Sequence, residues 1–123
     1  MTDKKMALVV QISASPYDTD YDMAYVYCFD EAKNYCFSLS RFPHSEHIEV
    51  MIVDQLVSHV DDLTISVTHN LMTATLDEKT AISLDGYHHY DLHFELTPPE
   101  RTRLINSLQQ IFAGKSGLSI DIP

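Results

Sequence analysis

Hydrophobic residues recur with a period of two along most of the chain up to Leu96, and with a period of 3.6 after Thr97. Alternation places side chains on opposite faces of a strand, whereas an i, i+1, i+4, i+7, i+8 pattern makes one stripe along a helix. Leu104, Ile105, Leu108, Ile111 and Phe112 follow the second pattern. The junction itself, Thr97-Pro98-Pro99-Glu100, is a capping box: the threonine hydroxyl accepts from the third helical amide while the glutamate reaches back. Proline at the first helical position loses no hydrogen bond there, and Gly114 supplies a stop. A chain patterned this way must cover a sheet with one amphipathic helix over Pro98–Ala113, which is an α+β layer architecture.

The strands follow from the same alternation. Met6–Ala14 carries Leu8, Val10 and Ile12 on one face and reads as a first strand. The apolar run Met6–Val10 is too short, and Asp3 is misplaced, for a secretion signal. The turn-rich Ser15–Asp22 is a loop, and Met23–Phe29 and Tyr35–Arg41 form a hairpin around Asp30–Asn34. His47–Val53 is a further strand, Asp54–Asp62 has no clear period, and Leu63–His69 with Leu71–Leu76 make a second hairpin. Asp77–Leu84 suits a short helix capped by Asp77 and followed by Gly86. Tyr87–Leu96 is the last strand, with His88, Tyr90, Leu92, Phe94 and Leu96 on its buried face. The expected architecture is a single, meander-like antiparallel sheet with the long C-terminal helix packed on one face. Residues 1–123 form one domain, and 115–123 are a loose tail or, through Leu118, Ile120 and Ile122, a short edge strand.

Charge narrows the partners. Among 123 residues, 18 are acidic and 8 basic, for a net charge of −10. Neutralising phosphates takes clustered Lys and Arg, so nucleic acids and anionic membrane surfaces are poor partners. No stretch approaches the roughly 18 apolar residues of a membrane span, and a cytoplasmic location is expected. Cys28 and Cys36 are the whole thiol inventory. Buried thiols are the default in such a compartment; a cross-strand disulfide is the alternative if Phe29 pairs with Tyr35.

Catalytic and cofactor motifs are missing. The three glycines, Gly86, Gly114 and Gly117, lie in no phosphate-cradling loop, and no GxSxG, HExxH or EF-hand pattern occurs. Both cysteines sit in apolar strands, where desolvation blunts a thiol nucleophile. No cofactor is expected, and the chain reads as non-enzymatic. His89, Asp91 and His93 share one strand face and are weak candidates for a divalent metal; a solvated polar face explains the same pattern. His44 and His47, at the loop that carries Pro43, read as surface histidines.

The negative charge is concentrated: residues 16–62 hold ten acidic side chains and two basic ones, Lys33 and Arg41. Such a concentration steers a basic partner. Tyr17, Asp18, Asp20, Tyr21 and Asp22 interleave tyrosine with carboxylate, and tyrosine is enriched at binding hot spots. Asp61 and Asp62 are a second acidic pair.

Residues 47–113 resemble the immunity protein 10 family of bacterial polymorphic-toxin systems. The resemblance is carried by Glu49-Val50-Met51-Ile52-Val53-Asp54-Gln55 and the strand pair Leu63–Leu76. Tyr90-Asp91-Leu92-His93-Phe94-Glu95-Leu96 and the helix end Leu108-Gln109-Gln110-Ile111-Phe112 complete it. It implies a small antidote that binds and blocks a cognate toxin without doing chemistry, and it singles out Asp54 and Gln55. The rival expectations are a metal- or ligand-binding domain using the His/Asp strand face, and an adaptor that self-associates as a homodimer through a sheet edge.

Overall fold

The computed structural model describes residues 5–53 and 55–121. The chain is α+β, but the ten strands of the described residues form two five-stranded sheets where one was expected. In chain order the elements are β1 (Lys5–Val9), β2 (Gln11–Asp18), β3 (Met23–Asp30), β4 (Tyr35–Arg41), β5 (Ile48–Ile52) and β6 (Leu56–Val60). Then come β7 (Thr64–Val67), β8 (Leu71–Thr75), α1 (Glu78–Ser83), β9 (His89–His93), α2 (Pro98–Ile111) and β10 (Leu118–Ile120).

One sheet is the expected meander, β2-β3-β4-β5-β6, antiparallel throughout. The other runs β1-β9-β8-β7-β10 and is mixed, because β1 lies parallel to β9 and β10 parallel to β7. The single strand expected over Met6–Ala14 is therefore two strands that serve different sheets. Val10 is the hinge: it is buried, and its amide donates to the His93 carbonyl at 2.8 Å. Alternation continues through the hinge, so the pattern of Leu8, Val10 and Ile12 carries no mark of the transfer. The segment without a clear period contains β6, an edge strand with both faces partly exposed.

The buried faces of both sheets and α2 share one core that includes Leu8, Val26, Phe37, Val50, Ile65, Met72, Tyr90, Leu92, Leu104 and Leu108. Helix α2 begins with the expected capping box, packs against β2, β3 and β4, and buries Leu104, Leu108 and Ile111. Each such side chain contributes about 1.5–3 kcal/mol of transfer free energy. No basic residue occupies the last turn of α2. Arg41 of β4 fills that role, its Nη1 donating to the carbonyls of Ile111 at 2.9 Å and Ala113 at 2.7 Å. Its Nε donates to the Ser45 carbonyl at 2.8 Å.

The short helix is capped by Asp77, whose carboxylate accepts from the Thr80 amide at 2.7 Å. That amide holds the carboxyl below its usual range. The last strand is shorter than expected. Tyr90, Leu92 and Phe94 are buried, whereas His88 and Leu96 beyond its ends are only partly covered. The tail is docked as β10, and Gly117 is what allows it. A Cβ there would collide with the Leu63 carbonyl, while the Gly117 carbonyl accepts from the Ile65 amide at 2.9 Å. Ile122 lies outside the described residues.

The β3–β4 hairpin corrects the disulfide alternative. Its register pairs Asp30 with Tyr35, Phe29 with Cys36 and Cys28 with Phe37. Residues directly opposite share a face, so this register, one step from Phe29–Tyr35, puts Cys28 and Cys36 on opposite faces. Both thiols are buried and unbridged, and burial pushes the Cys28 thiol up. Asp30 sets the turn: its carboxylate accepts from the amides of Val9 at 2.9 Å and Lys33 at 3.0 Å. The Val9 amide, more than any other contact, holds that carboxyl below the usual range.

A candidate partner-binding face on the antiparallel sheet

In a meander, alternate connections fall at the same end of the sheet. The β2–β3 turn, the β4–β5 loop and the exit from β6 therefore sit together, bringing Asp18, Asp20, Asp22, Glu46, Asp61 and Asp62 to one end. Direct contacts confirm the neighbourhood: Lys115 Nζ donates to the carbonyls of both Glu46 and Asp61, and His47 Nδ1 lies 2.9 Å from Asp61 Oδ1.

The β2–β3 turn is ordered by its own carboxylates. Asp18 Oδ1 accepts from the amides of Asp20 at 2.9 Å and Tyr21 at 3.0 Å, which is an Asx turn. Asp22, at φ 53°, accepts from the Tyr17 hydroxyl at 2.5 Å. That carboxylate raises the Tyr17 phenol above its ordinary value. Tyr17 and Tyr21 are left 52% and 65% exposed, so the turn presents two tyrosine rings to solvent.

Asp61 and Asp62 differ in role. Asp61 is exposed and paired only with His47 among the ion pairs of the described residues. Asp62 instead ties the chain together, accepting from the Leu63 amide at 2.9 Å and the Ser116 amide at 3.1 Å. Gln55 lies exposed in the β5–β6 turn at the opposite end of the sheet, its amide donating to the Ile52 carbonyl at 3.2 Å. Asp54 lies outside the described residues. Of the two positions singled out by the family resemblance, Gln55 thus does not join the acidic end.

The outward face of the meander has no signature in any single strand of the sequence read alone. Cross-strand register aligns Ser13, Tyr27, Ser38, Met51 and Val57 in one row, and Ser15, Tyr25, Ser40, Glu49 and His59 in the next. The central strand contributes only serines to these rows, while its neighbours contribute large side chains. The result is a trough of about 560 Å³ floored by Ser38 and Ser40. Tyr25 and Tyr27 stand on one side, Glu49 and Met51 on the other, and Tyr21, Met23 and Phe42 close the acidic end. Tyr25 Oη and Ser13 Oγ are 3.4 Å apart, and His59 Nε2 lies 3.6 Å from Glu49 Oε2. Among the described residues no lysine or arginine lines the trough. Its signal in the sequence was the serine-for-apolar alternation in Tyr35–Arg41, which acquires meaning only once the neighbours are known.

His89, Asp91 and His93 do share the outer face of β9, but they do not converge. Asp91 pairs with Lys5 at 2.6 Å, and His89 Nδ1 lies 3.3 Å from Thr75 Oγ1. Among the described residues no group of three or more His, Cys, Asp or Glu is placed to hold a metal ion. Among them, too, no helix is long and apolar enough to cross a membrane.

A second polar cluster is internal. The Tyr35 hydroxyl donates to Asp85 Oδ2 at 2.7 Å and lies 2.8 Å from the Tyr90 hydroxyl, which donates to Asp85 Oδ1 at 3.2 Å. The Tyr90 ring packs on Phe37 with centroids 4.8 Å apart. Burial raises both phenols, so they remain neutral donors that bind the two sheets to the α1–β9 loop. No family model, no curated protein and no solved structure matches the chain.

Proposed function

We propose that this chain is a non-catalytic immunity protein, which binds a basic toxin of the same bacterial cell and blocks it. The observation that carries the reading is the continuity of the exposed acidic turn with an aromatic trough: Tyr21 belongs to both. Charge accelerates the encounter with a basic surface, and tyrosine and methionine supply buried contact once the partner is seated. The negative charge of residues 16–62 and the likeness to the immunity protein 10 family support the same reading. The β9 strand face gives the metal-binding alternative no such support, because its carboxylate is already held by Lys5.

The test is co-expression with the toxin domain encoded beside this gene. Rescue of growth, together with a complex that elutes as one species on gel filtration, is the expected result. Loss of rescue in a Tyr21→Ala/Tyr25→Ala variant that remains folded would locate the contact. No rescue and no complex with the native chain would overturn the proposal.

A further inference from the structure

Resting on that reading, the geometry points to the chemistry of the group the trough receives: we infer that it seats an arginine side chain of the partner. The walls stand on β3 and β5, two strand spacings apart, about 9–10 Å. That gap admits a flat group and an extended stem over the small floor of Ser38 and Ser40. A guanidinium is planar, weakly hydrated and stacks on aromatic faces, here those of Tyr25 and Tyr27. Glu49 stands on the opposite wall in the same cross-strand row as Tyr25 and Ser40; its Oε2 lies 3.6 Å from His59 Nε2, and its other oxygen is the one offered to the fork of donors. The methylene stem lies against Met51, an apolar surface that suits it.

Charge complementarity selects this occupant over a second copy of the chain. A copy docked on the same face would oppose Asp18, Asp20, Asp22 and Glu49 with their own equivalents, each molecule carrying −10. Lysine is a poorer fit than arginine, since a compact, strongly hydrated ammonium gains less from two ring faces.

The test uses the whole chain with fluorescent hexa-arginine and hexa-lysine peptides of equal charge, in about 150 mM salt to screen long-range attraction. Anisotropy titration should give at least about fivefold tighter binding of hexa-arginine. Amide shifts in NMR spectra should centre on Tyr25, Ser38, Ser40 and Glu49. Ser40→Leu fills the trough and Glu49→Gln removes its charge while keeping its shape. Each should weaken hexa-arginine about tenfold and leave hexa-lysine nearly unchanged. Should Ser40→Leu fail to fold, Glu49→Gln alone decides. Equal affinity for both peptides, with shifts confined to residues 18–22, would overturn the arginine seat. Shifts at Ser38 and Ser40 that grow with protein concentration alone, with a dimer in sedimentation, would overturn it in favour of a second copy. Growth rescue by the native chain reads the immunity function independently, so the two failures are distinguishable.

Discussion

Replacing Arg41 by methionine removes the guanidinium and keeps most of the apolar stem. Three hydrogen bonds to carbonyls are lost, to Ser45, Ile111 and Ala113. With Arg41 partly exposed, each is worth about 1 kcal/mol net, the figure for an ordinary hydrogen bond and below that for a buried charged one. The loss of a cation at the end of α2 lies within the same figure, giving about 2–3 kcal/mol. Unfolding entropy near 2.1 cal/mol/K per residue makes that a fall in Tm of about 10 °C for a domain of this length. Arg41→Lys keeps the charge but not the three-way fork, and should recover less than half of the loss, about 1 kcal/mol. Urea titration and calorimetry at pH 7 measure both. An Arg41→Met protein within about 0.5 kcal/mol of the parent would refute the claim that this side chain completes the helix. Because Arg41 also holds the Ser45 carbonyl, the same variant should loosen the loop that carries Phe42 to the end of the trough.

Acid stability should depend on Asp30. Its folded pKa is depressed, so its contribution is present in full above the unfolded value near 3.9 and is lost as pH falls through the lower folded value. Asp30→Asn should flatten part of the fall in urea midpoint as pH drops below about 4, leaving the parts due to Asp77 and Glu100; parallel curves would contradict this. Tyr90→Phe should cost about 1–2 kcal/mol, and a double-mutant cycle with Tyr35→Phe should show coupling of about 1 kcal/mol, read by chemical denaturation. Strict additivity would break the network account. Both cysteines should react with a thiol reagent only after denaturation, since Cys28 is 0% and Cys36 1% exposed; rapid labelling of the native protein would contradict the burial.

Local signals in the sequence were strong where the partner of a residue is its neighbour in the chain. Thr97 and Glu100 cap α2 because both groups lie within one turn, and the β3–β4 and β7–β8 hairpins close over short loops. Long-range choices were illegible. Leu8 and Val10 are buried in either architecture, so alternation is blind to the transfer of the chain from one sheet to the other. The parallel pairing of β1 with β9 has no turn to announce it. A single step of hairpin register separated a possible disulfide from two thiols on opposite faces. The acidic turn was visible as composition, whereas the trough depends on Ser38 and Ser40 lying between Tyr25, Tyr27, Glu49 and Met51. That is a two-dimensional pattern, which a one-dimensional reading does not contain.

The division of β1 from β2 at Val10 has a consequence for the order of assembly. The meander joins only strands adjacent in sequence, so it can close while the rest of the chain is still emerging from the ribosome. The mixed sheet cannot: Lys5 must wait for His89, and Ile65 for Leu118. The face that carries the trough thus rests on pairings between strands adjacent in sequence. The pairing of β1 with β9 spans a longer stretch of sequence than that of β7 with β10, so it carries the larger loop-closure cost.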